Sequence, residues 1–197
     1  MSRQAARSET TRTSLINAAR ELFAARGYAA VGTPEIVEHA GSSRGALYHH
    51  FKDKQELFRA VYEQIQQQLM QQIADELART ETTDPLTAFE AALRMFLQSC
   101  MEPERTRICL IDGPAVLGWQ EWRALDEKYA LGMVAATLQL GVDSGALRND
   151  VPLRPLAHMI IAALGEAGLL IASSDDPAAA RIESEAAVLA ILDGLRT

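Results

Sequence analysis

Residues 33–54, TPEIVEHAGSSRGALYHHFKDK, constrain the fold more than any other stretch, because they read as two short helices joined by a glycine-marked turn, the build of a helix-turn-helix. Thr33 offers a capping hydroxyl. Pro34 suits a first helical position, where an amide N–H would be unpaired anyway, and Glu35 complements the positive helix end. Ile36, Val37 and Ala40 supply an inward face, Gly41 frees the backbone for a sharp turn, and Ser43 is placed to cap a second helix from Arg44 to about Phe51. Leu47 and Phe51, four residues apart, share one side of that helix and hold it down.

Arg44, Gly45, Tyr48, His49 and Lys52 remain outward on the second helix, with Lys54 just beyond it. The first turn of such a helix enters the major groove, and the Arg44 guanidinium matches the two acceptors of a guanine edge. Gly45 adds no side chain, which lets backbone approach DNA closely. Tyr48, His50, Lys52 and Lys54 offer hydroxyl, imidazole and ammonium donors to phosphate oxygens, and the Ser43 hydroxyl is a further phosphate candidate. His49 and His50 point about 100° apart on a helix and are not placed to share one metal ion.

At these residues the chain resembles the TetR family of bacterial regulators, whose head pattern is met by Thr33, Ile36, Val37, Ala40, Gly41, Ser43, Gly45, Leu47, Tyr48, His50, Phe51, Lys54 and Leu57. The upstream ARELFAARGYAAVGT, residues 19–33, is similar to the family's first helix and following loop. Val37 stands where Ala is commoner, a small change of volume on a core face. The resemblance is specific over about residues 8–65 and continues beyond them only as helical layout. Carried over by position, it implies phosphate contacts from Thr33, Tyr48 and Lys54 and base-edge contacts from Arg44, Gly45 and His49.

The net charge of −7 is distributed in the way this reading requires. Residues 1–58 hold 8 Lys or Arg against 6 Asp or Glu, a balance of +2, so the other 139 residues hold 11 against 20, a balance of −9. Three of the four histidines, His39, His49 and His50, fall in the basic part. MSRQAARSETTRTS at the N-terminus is polar and unlike a secretory signal, which predicts a cytoplasmic protein. The longest apolar run, MIIAALGEAGLLIA at residues 159–172, carries Glu166 at its centre and falls short of the ~20 residues a membrane span needs, so it reads as a buried helix. Cys100 and Cys109 support neither a disulfide framework nor a zinc site, and they read as core residues rather than a redox sensor.

Helical periodicity runs throughout, which predicts an all-α chain of about nine helices. Leu15, Ala19, Leu22 and Phe23 face the helix-turn-helix pair from a first helix over residues 9–26, which ends at Gly27, and Tyr28 plugs the small core. Over residues 54–79, Leu57, Val61, Ile65, Leu69, Ile73 and Leu77 recur every four residues. Each such step drifts by about 40°, so the stripe turns by roughly 200° along its length. Its two ends therefore face different partners, as a connector requires. Asp84 and Pro85 open the next helix, Pro103 opens one ending near Gly113 and Pro114, a long helix reaches about Val142, another runs from Pro152 or Pro155 to Ala172, and Asp176 and Pro177 open the last.

The expected architecture is thus a three-helix DNA-binding head, residues 8–65 with the helix-turn-helix at about 32–51, joined by the connector to an effector-binding and dimerisation body, residues 66–197. Phe89, Met95, Phe96, Met101, Trp119, Trp122, Tyr129 and Met133 form an aromatic and thioether store suited to an apolar pocket between helices, or to plain core. Few basic groups accompany them, which favours an uncharged, apolar or aromatic effector over an anion. His158 reads as a core or interface histidine. Ala162, Gly165 and Gly168, with Ile182, Ala186, Leu189 and Leu192, mark two helices able to pack closely, and the resemblance implies a four-helix homodimer interface there.

The function these residues predict is a homodimeric transcriptional regulator, a repressor released from a palindromic double-stranded DNA operator by a small, largely apolar effector. No cofactor, metal, catalytic residue or membrane partner is expected. An effector-independent DNA-binding or interaction scaffold is the alternative. An all-helical enzyme is the more distant one, because no nucleophile, metal or phosphate-loop constellation assembles.

Overall fold

The computed structural model describes residues 3–79 and 84–197, and within them the chain is helical with no strand. The helices are α1 (Arg3–Arg26), α2 (Thr33–His39), α3 (Arg44–His50), α4 (Lys54–Arg79), α5 (Pro85–Ser99), α6 (Pro103–Arg105), a π-helix (Thr106–Asp112), α7 (Gly113–Leu117), α8 (Trp119–Asp143), α9 (Leu153–Ser173) and α10 (Pro177–Asp193). Since α6, the π-helix and α7 run on without a break, the described residues make nine helical rods, the number expected.

Two compact units divide the chain. The first is the N-terminal part to Ile65 together with Pro103–Trp119, and the second is Gln66–Glu102 with Gln120–Thr197. In the first unit Leu15, Ala19 and Phe23 of α1 are buried with Ile36, Leu47, Phe51, Leu57, Phe58 and Val61. Tyr28 closes this core as predicted, its ring centroid 5.5 Å from Phe23 and 5.2 Å from Phe58.

Assigning residues 66–197 to one body missed the attachment of Pro103–Trp119 to the first unit. Polar anchors make it. Arg20 donates two hydrogen bonds to the Glu104 carboxylate, at 2.7 and 2.6 Å, and the Tyr28 N–H donates to Asp112 at 2.7 Å. Gly27 takes a positive φ of 78°, a conformation that favours glycine, and the movable Arg107 guanidinium lies where a Cβ would sit. The helix expected to stop near Gly113 continues through Pro114 to Leu117. A proline cannot donate to the carbonyl four residues back, and the change from π to α pitch falls just ahead of it.

The drifting stripe of α4 changes company as its geometry demands. Leu57, Val61 and Ile65 are buried in the first unit, whereas Leu69 and Ile73 join Ala92 in a core of the second, with Met70, Leu77, Met95, Phe96 and Met133 packed against it. α5 begins where predicted: Pro85 occupies its first turn and the Asp84 carboxylate accepts the Leu86 and Thr87 N–H groups. Asp176 caps α10 through Ala179 in the same manner. α9 and α10 pack on one another and both meet α5. At 21 residues, α9 is longer than the apolar run suggested, and by length and composition it is sufficient to cross a membrane. Its buried face, Ala157, Ile160, Ile161, Leu164 and Ile171, is spent inside the second unit.

Candidate DNA-reading face and ligand cavity

The helix-turn-helix forms from the residues that predicted it, with one exchange at the first cap. Gly32, not Thr33, is the N-cap of α2, and no side chain closes it; Thr33 and Pro34 are already helical. Glu35 in the first turn pairs with Arg26 of α1. Gly41 takes a φ of 59°, the left-handed conformation a tight turn needs. Ser43 caps α3, its hydroxyl oxygen accepting the Ala46 N–H at 3.1 Å, which leaves the O–H able to donate outward. Leu47 and Phe51 are buried, while Val37 and Ala40 are only half-buried, so Ile36 alone anchors α2 fully.

On the other side of α3, Arg44, Gly45, Tyr48 and His49 are exposed and His50 is half-buried, whereas Lys52, expected on this helix, lies exposed beyond its end. The Arg44 guanidinium lies over the Tyr48 ring, 5.7 Å from its centroid, a contact that holds both side chains to one side of the helix. His49 and His50 meet edge to face at 5.1 Å and border a groove with Arg7, Ser8 and Thr11 of α1. Arg7 was not picked out from the sequence. Its only sequence signal is a positive charge in the first turns of α1, and the fold brings it beside the second helix. His39 pairs instead with Glu21 at 2.8 Å.

An added Cβ at Gly45 would meet nothing nearer than the Ser43 hydroxyl at 3.9 Å, ordinary contact. Nothing within the chain therefore requires glycine there. Lys54 is the opposite case. The ammonium expected on phosphate donates to the carbonyls of Tyr28 and Val31 at 2.8 and 2.9 Å and lies 3.9 Å from the centre of the Tyr28 ring. Burial pushes its pKa below the ordinary lysine value. We expect Lys54→Met to lower stability by about 1 to 3 kcal/mol, several degrees in melting temperature, by removing charge-assisted bonds to the α1–α2 loop. The salt dependence of DNA binding should be unchanged; a phosphate contact would instead lower its logarithmic slope by about 1 with no change in melting.

The second unit holds a mostly apolar cavity of about 50 Å³, smaller than a drug-sized ligand needs, so that a ligand entering it has to spread the helices that line it. α5 contributes Phe89, Ala92, Leu93 and Phe96, a single face at spacings of three and four. α8 contributes Asp126, Tyr129, Ala130, Met133 and Val134 on the same rule, α4 contributes Gln66, Met70 and Ile73, and α9 contributes Ile161, Leu164 and Gly165. Of the eight residues predicted for a pocket, Phe89, Phe96, Tyr129 and Met133 line it. Trp122 stands behind the wall, 3.9 Å from where a Gly165 Cβ would be. Met95 turns toward a separate surface groove, Met101 lies beyond the end of α5, and Trp119 is 53% exposed in the first unit. Trp119 and Trp122 are three apart and both aromatic, yet only Trp122 is one turn from Asp126 on the lining face.

Among the residues expected at a dimer seam, Gly168 and Leu192 are buried within their own chain and Gly165 lines the cavity. Ala162 and Leu189 are half-buried, and Ala186 and Ile182 are exposed, the latter at 59%. Met159 at 68% and Leu170 at 53% lie on the outer face of α9 with Ala162 between them. His158 faces Glu127 of α8 at 3.3 Å, and Cys100 and Cys109 are buried and not joined in a disulfide. Among the described residues no cluster of His, Cys, Asp and Glu is arranged to hold a metal ion.

Two short helices joined by a glycine turn, the second capped by Ser43 and exposing Arg44, in an otherwise helical chain, define a helix-turn-helix regulator. Residues 15–61 match the bacterial regulatory proteins of the tetR family, and residues 86–195 match the tetracyclin repressor-like C-terminal domain. The chain belongs to the TetR family of transcriptional regulators. A TetR-family regulator from Pectobacterium atrosepticum, known by crystal structure, is 31% identical, with 100% of this chain and 98% of that one aligned at a TM-score of 0.84. The transposon Tn10 TetC protein of Escherichia coli is 31% identical over 71% of this chain and 70% of its own length. The HTH-type transcriptional repressor AcnR of Corynebacterium glutamicum is 28% identical over 74% of this chain and 73% of its own. Family members are DNA-binding transcriptional regulators, some of them responsive to ligands, and are not enzymes.

Proposed function

We propose that this regulator is a homodimeric repressor that reads a palindromic operator with α3 and leaves it when a small, largely apolar effector fills the second-unit cavity. The observation that carries the reading is the division of α3 into a buried side, Leu47, and an exposed side, Arg44, Gly45, Tyr48 and His49, with a serine cap fixing its start. Arg44, Gly45 and His49 contact base edges. Thr33, Ser43, Tyr48, His50 and Lys52 meet phosphate, and Arg7 beside the two histidines extends that footprint. Lys54 acts one step behind them by holding the α1–α2 loop. Residues 8–65 are the reading domain and residues 66–197, apart from the Pro103–Trp119 segment, take effector and partner.

The apolar lining from α4, α5, α8 and α9 supports the effector. Both α5 and α8 run directly into the Pro103–Trp119 segment, and α4 is one backbone through both units, so a ligand that prefers one spacing of these helices biases the reading domain.

The test is protection of an inverted repeat in DNA flanking the coding region, by the natural protein and by Gly45→Ala. The natural protein should protect it. Gly45→Ala, in the first turn of α3, should keep or slightly raise stability, by about a few tenths of a kcal/mol, while losing protection, because the new methyl group intrudes between helix and groove. Full protection by Gly45→Ala would remove α3 from the interface.

A further inference from the structure

We propose that DNA binding by this protein is coupled to proton uptake by His49 and His50, an inference that rests on α3 being the reading helix. The two imidazoles stand in the last turn of α3. Their rings meet edge to face at 5.1 Å and line an open groove whose other wall is α1, with Arg7, Ser8 and Thr11. His49 is exposed and His50 half-buried, so a DNA strand laid along this groove meets both rings. None of the residues lining the groove is a carboxylate.

The charged neighbours are cations or acids committed elsewhere. From α1, Arg7 lines the groove, the Thr11 hydroxyl donates to the Arg7 carbonyl at 3.0 Å, and the Arg12 guanidinium lies 5.4 Å from the centre of the Phe51 ring, next to His50 in the chain. Glu9 is turned roughly 160° away from Arg7 on the same helix. Along α3, Arg44 lies over Tyr48, and Lys52 is exposed beyond the helix end. Asp53 and Glu56 accept the backbone N–H groups of Glu56 and Lys52 at the start of α4. Imidazole is the side chain whose ordinary titration falls between about pH 5 and 8. Neutral, it has one N–H to give; protonated, it has two and a full charge. With no acid in the groove, the negative partner of the charged form comes from outside, and duplex DNA carries one negative charge per about 1.7 Å of its axis. DNA therefore binds the protonated rings more tightly, and by linkage the protein takes up protons as it binds.

The test uses the full-length protein and the duplex it enriches from a random DNA pool. Affinity is measured from about pH 6 to pH 8 at constant ionic strength, and binding enthalpy in phosphate and in Tris, whose different heats of ionisation count the protons exchanged. Affinity should rise about tenfold or more from pH 8 to pH 6, because each proton taken up per complex is worth about tenfold per pH unit. His49→Gln and His50→Gln should each remove part of the uptake and the double substitution nearly all of it. His39→Gln, whose imidazole pairs with Glu21 at 2.8 Å, should leave it intact. The count is taken per complex formed, so weaker binding does not alter it, and the single variants carry the test if the double variant no longer binds. Equal affinity at both ends of the range, or full uptake in both single variants, overturns the coupling while loss of protection in Gly45→Ala leaves α3 as the reading helix. Binding by Gly45→Ala as tight as that of the natural protein, or failure to enrich any duplex, overturns the reading helix and the coupling together.

Discussion

Leu170→Glu combined with Ile182→Glu is expected to turn the proposed dimer into a monomer in sedimentation and to cut operator affinity by roughly 10²- to 10⁴-fold, the gain that two linked reading modules share. Both side chains are more than half exposed in the single chain, so the pair should cost the protomer no more than about 0.5 kcal/mol per site and leave its melting nearly unchanged. In a dimer closed over α9 and α10 the same four carboxylates would be buried without partners, which is strongly unfavourable. A two-fold interface brings the same patch from both copies together, so each substitution acts twice. An unchanged dimer would remove the outer faces of α9 and α10 from the interface. Leu192 would be a poor choice for this experiment, since it is buried in its own chain.

Arg44→Ala is expected to cost about 1 to 3 kcal/mol of discrimination, so that operator binding falls by roughly 10- to 100-fold while binding to scrambled DNA falls little. The guanidinium stands on the first turn of α3, exposed and steadied by Tyr48, the position proposed to read a guanine edge. Tyr48→Phe gives the contrasting pattern. It keeps the ring under Arg44 and removes the hydroxyl, so it should weaken operator and scrambled DNA alike. Equal losses on both DNAs for Arg44→Ala would move this residue from base reading to phosphate contact.

Local rules made the reading helices legible. Gly41, Ser43, Leu47 and Phe51 each act over four residues or fewer, and each does in the fold what its chemistry predicts. The drift of the α4 stripe was equally readable, because helix geometry alone decides which way Leu57 and Ile73 face. Long-range choices were not. Lys54 had two destinations, phosphate or the carbonyls of Tyr28 and Val31, and only the path of the loop between residues 26 and 33 decides between them. Glu104 and Asp112 carry no local signal of their partners, and they bind Arg20 and the Tyr28 amide across 84 residues of chain. Asp126 escaped notice because the pocket was sought through aromatic and thioether residues, so Trp119 was included and the carboxylate one turn beyond Trp122 was not.

The central claim, that α3 reads a two-fold operator, is tested most directly by selecting bound duplexes from a random DNA pool with the natural protein and with Arg44→Ala. The account predicts one enriched palindrome for the natural protein, its half-sites about one or more helical turns apart, and loss of a single symmetric base preference in each half-site for Arg44→Ala. Enrichment of no palindrome, or an Arg44→Ala motif identical to that of the natural protein, would contradict it.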